Sequence, residues 1–148
     1  MKKIFETTES TAAMILRIVL GIVLFPHGAQ KLLGWFGGYG FEGTMGFLTG
    51  SAGLPWIIAF LVIMIEFLGA LALILGFATR VVAIGIIALF TGIVFTSHIQ
   101  SGFFMNWSGQ LNGEGYEYHL LIIGMAITLL VSGAGKWSLD NLLLKKLR

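Results

Sequence analysis

Long apolar runs alternate with stretches rich in glycine and aromatic residues along this chain. The runs cover residues 12–33, 55–76, 81–99 and 116–132, and each approaches the roughly 20 residues that a membrane-crossing helix needs. The pattern predicts an all-α, polytopic membrane four-helix bundle. The second run, LPWIIAFLVIMIEFLGALALILG, carries Glu66 near its middle. A carboxylate at that depth is costly unless it is paired, protonated or turned toward a polar cavity. The other helices must therefore supply its partners.

Local signals refine this outline. Thr8, Ser10 or Thr11 can cap the first helix. Pro26 predicts a kink that frees the carbonyl of Ile22. Arg17, Gly21, Leu24, Gly28 and Lys31 share one face, where the glycines let another helix approach closely. The connection 34–55 is too rich in glycine for a long helix, so it reads as a loop with a short interfacial helix over 41–48, folding back over the bundle mouth. Phe77, Ala78, Thr79 and Arg80 form a tight turn, and Gly85, Ala88, Gly92 and Thr96 form a small-residue packing stripe on the third helix. A second loop, 100–115, carries Phe103, Phe104 and Trp107. After the fourth helix, 138–148 reads as an amphipathic tail on the membrane, with Ser138 as its cap.

Composition agrees with this outline. The 148 residues are 57% hydrophobic and 11% charged, with mean hydropathy +0.93, against about 25% charged residues in a soluble domain. One domain spanning 1–148 follows, with no room for a separate soluble catalytic unit. Cysteine is absent, which excludes self-contained thiol chemistry, disulfides, cysteine-bound iron–sulfur clusters and covalent c-type haem. The first apolar run is too long for a signal-peptide core and reads as a retained helix. Lys2, Lys3, Arg80, Lys136, Lys145, Lys146 and Arg148 fall on one side, against Lys31 on the other. The positive-inside rule then puts both termini in the cytoplasm and both long loops outside. No basic array suits nucleic acid.

A rise of about 1.5 Å per residue places Glu66 near the midplane, Arg17 in the inner third, and His27, Lys31, His98, Glu117 and His119 in the outer half. This pattern suggests a cavity opening outward. Arg17 either pairs with Glu66 or snorkels to the inner headgroups. Glu66 can also act as a neutral hydrogen-bonding acid, Lys31 as an interface anchor and Arg80 as a topology signal, while His98 and His119 can be interfacial histidines without a role. Glu117 and His119, two apart, cannot both point straight into one cavity. A zinc or copper site would need a ligand from each helix, since no HxxxH or ExxH spacing occurs. An apolar cleft with His or Glu beside a quinone head group fits better.

The residues also resemble a family. Arg17 followed by PHGAQKL (26–32), Glu66-Phe67-Leu68-Gly69 running into LGFATR (75–80), His98 with Gly102-Phe103-Phe104, GYEY (115–118) and GAGKWSLD (133–140) are together similar to the bacterial DoxX family. The resemblance covers nearly the whole chain. It implies a four-helix inner-membrane protein, with Arg17, Lys31, Glu66, Arg80, His98, Glu117, Ser138 and Asp140 at characteristic positions. Ser138 and Asp140 also make sense as a local cap. Some relatives are subunits of a thiosulfate:quinone oxidoreductase; others are linked with thiol and oxidative-stress partners or with catechol and quinone handling. The resulting expectation is a quinone-interacting subunit of a membrane redox system. Glu66 and His98 handle protons or hydrogen bonds, while Arg17, His27, Lys31, Glu117 and His119 serve the ligand. Because the chain lacks cysteine, a thiol relay needs a separate protein. The rival is a non-enzymatic scaffold, or a small-molecule-binding or transport component of a larger complex. Expected partners are the bilayer and other proteins or further copies of the chain.

Overall fold

The computed structural model describes residues 5–146, so Lys2, Lys3 and Arg148 of the charge argument lie outside the described residues. The described residues are helical, with no strands: α1 (Thr11–Leu33), α2 (Gly40–Gly46), α3 (Trp56–Leu75), α4 (Thr79–Ser101), α5 (Glu117–Ser132) and α6 (Leu139–Lys146). Helices α1, α3 and α4 are long and apolar enough to cross a membrane, and α5 is a shorter apolar helix. No more than 39% of any of these three spans is buried inside the protein, so most of their apolar surface faces outward, as contact with lipid requires.

Ser10 proves to be the α1 cap, its Oγ accepting from the Ala13 N–H at 3.1 Å. Helix α1 runs unbroken through Pro26 to a left-handed Gly34. Its glycines seat it antiparallel on α3. A Cβ at Gly21 would lie 2.9 Å from the Ala70 carbonyl oxygen, and one at Gly28 would lie 2.5 Å from the backbone of Glu66 and Phe67. Leu20, Leu24, Leu73, Ile86, Phe90, Ile122 and Leu129 join α1, α3, α4 and α5 in one core. The short α2 is seated by Met45 against Ala59 and Ile63 of α3. The small-residue stripe of α4 packs only in part: a Cβ on Gly85 would meet the Ile65 side chain of α3 at 3.5 Å. Nothing lies within 4 Å of a Cβ built on Gly92, and Gly85, Ala88, Gly92 and Thr96 line an apolar groove of about 340 Å³ facing α3.

At the far end of the bundle, polar side chains staple the helix ends. Arg17 is 1% exposed. Its guanidinium donates to the carbonyls of Leu73, Ile74, Ala134, Lys136 and Trp137 at 2.6–3.2 Å. Arg80 donates to Glu6, Leu130 and Val131 carbonyls, closing the end of α5. Ser138 caps its own helix through the Asn141 N–H, whereas Asp140 caps α4, its carboxylate accepting from the Ala78 and Thr79 N–H groups at 2.7 and 2.9 Å.

Candidate functional site

Three helical irregularities shape the opposite end. π-helical turns lie directly after α2 at Phe47–Ser51, within α3 at Ile65–Gly69 and within α4 at Val94–His98. The last two contain Glu66 and His98. A π turn adds a residue to the helical register and re-aims the side chains around it, which is why such turns collect at functional positions. Gly28 supplies the other half of the geometry. Because it lets α1 touch the backbone at Glu66, Lys31 lies one turn further along the same face and reaches the carboxylate.

Lys31 Nζ donates to Glu66 Oε2 at 2.5 Å. The Glu66 side chain is 5% exposed and that of Lys31 29%, so the pair runs from the interior toward the outer rim. This corrects the expectation that Arg17 balances Glu66, and it makes Lys31 more than an interface anchor. Arg17 sits eleven residues before Gly28, about 16 Å along the helix, with its donors spent on carbonyls at the other end.

Glu66 and Lys31 border a cavity of about 230 Å³, where His27, His98 and His119 also line the wall. Leu24, Phe90, Ile93, Met105, Glu114 and Tyr118 complete it. His98 and His119 lie with ring centroids 4.3 Å apart, inclined by 40°. His98 Nδ1 is 2.7 Å from the Glu114 carbonyl oxygen. A carbonyl only accepts, so Nδ1 carries the proton, and a neutral ring keeps Nε2 as an acceptor. His119 is 7% exposed, and its Nδ1 has no hydrogen-bond partner among the described residues. A buried polar atom left so is costly unless something else meets it.

Of the expected site residues, Glu66, His98, His27, Lys31 and His119 thus share one cavity, with His27 at its exposed edge. Arg17 and Glu117 do not. Glu117 and His119 diverge as their spacing requires. Glu117 Oε1 accepts from the Met105 N–H at 2.9 Å and from Trp107 Nε1 at 3.3 Å, outside the cavity wall. Glu114, Tyr118, Phe90 and Met105 were not anticipated. Glu114 lies in a polar, glycine-rich loop that reads as solvated, yet its carbonyl orients His98 and its carboxylate accepts from the Asn106 N–H at 2.8 Å. Tyr118 directly precedes His119 on α5, but consecutive helical side chains do not face one another, so adjacency gave no signal for it. Among the described residues no three His, Cys, Asp or Glu side chains group as a metal shell.

The DoxX family model matches residues 12–99. The chain is 30% identical over 145 residues to "Putative oxidoreductase CatD" of Bacillus subtilis (strain 168), covering 98% of this chain and 93% of that protein. It is 32% identical over 146 residues to "Inner membrane protein YqjF" of Escherichia coli (strain K12), covering 99% of both. No solved structure matches. With apolar helices of spanning length and a family match across more than half its residues, this chain is a membrane protein that belongs to the DoxX family.

Proposed function

We propose that this protein is the quinone-interacting membrane subunit of a redox system, and that the cavity between α1, α3, α4 and α5 holds the quinone head group. The observation that carries this reading is the convergence of Glu66, Lys31, His98 and the unpartnered His119 on one small cavity with an apolar wall. The residues fit such a ring. Phe90, Ile93, Met105 and Tyr118 offer flat or apolar surface. Lys31 and His119 offer donors to ring carbonyls, while His98 Nε2 and the free oxygen of Glu66 accept from ring hydroxyls. A bound quinone supplies a proton-coupled redox couple. The chain's own residues hold and orient the ring and accept or return protons at Glu66 and His98. Electrons come from a partner protein. The printed name of the Bacillus subtilis relative, an oxidoreductase, agrees with this assignment.

The protein belongs in a bacterial inner membrane, as the name of the Escherichia coli relative says of that protein. The four apolar helices span it, with both termini cytoplasmic. Arg80, Lys136 and Lys145 sit at the stapled end, while Lys31 at the cavity end is neutralised by Glu66. One observation favours the scaffold reading. The groove lined by Gly85 and Gly92 leaves room for a helix of another protein or of a second copy.

The test is a binding isotherm for a tail-less benzoquinone, with the protein reconstituted in lipid nanodiscs. Saturable binding that is weakened at least about tenfold, or about 1.4 kcal/mol, by Glu66→Gln or His98→Ala supports the site. Absence of saturable binding to the unaltered protein sinks it.

A further inference from the structure

The cavity does not end at the helices. Outside it, on the surface of α5 and the loop before it, lies a second groove of about 270 Å³. Phe103, Trp107, Leu120 and Leu121 line it together with Glu117, whose carboxylate already accepts from the Met105 N–H and the Trp107 indole; Trp107 is 85%, Leu120 46% and Leu121 67% exposed. Met105 and Tyr118 line both spaces. They stand between the cavity that holds Glu66 and the histidines and an apolar trough open to the surroundings.

Two other depressions also adjoin the cavity, but each across a firmer wall. The cleft of about 650 Å³ under α2 shares Lys31 with it. An apolar chain passing there would have to run beside the Lys31–Glu66 ion pair and strip its solvation. The α3–α4 groove shares Ile93, a β-branched side chain on a helix that packs against the main core. Met105 is different: an unbranched thioether on a loop, with several rotatable bonds.

From this we propose that Met105 and Tyr118 form a side opening through which the hydrocarbon chain of an amphiphilic ligand leaves the cavity and lies in the Phe103–Trp107–Leu120–Leu121 groove. The inference rests on the head-group reading above and deepens it. The ligand class becomes a membrane-soluble quinone carrying a hydrocarbon tail, not a small water-soluble ring. Glu117 then acquires a role that its place outside the cavity otherwise denies it. By accepting from the Met105 N–H and the Trp107 indole, it holds the movable side of the opening and one wall of the groove in register, as a positioning residue.

A photo-crosslinking map tests the opening. The probe is a benzoquinone bearing a linear alkyl chain with a diazirine at its end, bound to the full-length protein in nanodiscs, irradiated and mapped by peptide mass spectrometry. The expected label falls on peptides containing Trp107, Leu120 or Leu121 and is lost when excess tail-less benzoquinone occupies the cavity. Competable label on residues 39–48 or 54–65 instead would overturn the proposed path while leaving the head-group site standing. Label that tail-less benzoquinone does not displace anywhere would remove the head-group site as well, and the side opening with it. A parallel map of Glu117→Ala should spread the competable label over the surrounding surface, with Glu117→Gln, which still accepts hydrogen bonds, keeping it in place. An unchanged map in Glu117→Ala would contradict the positioning role.

Discussion

At the scale of single residues, the chemistry turns on how the buried charges are partnered. Lys31→Met leaves Glu66 buried without its cation. Because Lys31 is partly exposed, the loss should be about 2 kcal/mol rather than the full cost of breaking a buried pair. Thermal unfolding in detergent should show it, and Lys31→Met with Glu66→Gln together should recover most of the loss. If the double variant is no better than the single one, the pair is not what stabilises Glu66. Glu66→Ala should likewise impair stability or binding more than Glu42→Ala, since Glu42 is exposed on α2. Equal, negligible effects would argue against a cavity centred on Glu66. Arg17→Ala should cost about 3 kcal/mol by orphaning buried carbonyls. Arg17→Lys should rescue little, because a single ammonium cannot reach carbonyls on both α3 and the tail.

At the scale of elements, the close approach of α1 and α3 decides whether the site exists. Gly28→Ala drives a Cβ into the backbone of Glu66 and Phe67, so it should cost about 2 kcal/mol and loosen the Lys31 contact. Gly92→Ala meets nothing and should be neutral or stabilise by about 0.5–1 kcal/mol through helix propensity. Matched unfolding curves would check the contrast, and equal destabilisation would refute the contact. Here the sequence was only partly legible. The spacing of Gly21, Gly28 and Lys31 correctly marked one face of α1. Helical rise put Glu66 near the midplane with His27, Lys31, His98, Glu117 and His119 above it, and all of these but Glu117 line one cavity. Straight-helix reasoning could not foresee the π turns at Glu66 and His98, because runs that are apolar at nearly every position carry no polar–apolar phase for an inserted residue to shift. Nor could it foresee that Arg17, whose side chain leans toward its own N-terminus, would meet carbonyls from the distant tail rather than a carboxylate. The α4 stripe held at Gly85, which meets Ile65, and misled at Gly92, because small residues permit close packing but do not compel it.

For the whole molecule, the helices and their apolar faces were written plainly in hydropathy. The positions of α1, α3, α4 and α5 follow the runs that predicted them to within a few residues. Topology can be read directly, because the chain contains no cysteine to obscure an introduced one. With both termini inside, Trp107→Cys should react with a membrane-impermeant maleimide on intact cells, while Asn141→Cys should react only after the membrane is opened. The reverse pattern would invert the protein and turn its cavity toward the cytoplasm.

The most direct measurement of the central claim is native mass spectrometry of the protein extracted gently from its own membrane. The cavity reading predicts a retained quinone in the unaltered protein that disappears in His98→Ala and Glu66→Gln, while Glu42→Ala keeps it. A bare protein, or a quinone that survives both cavity substitutions, would contradict it.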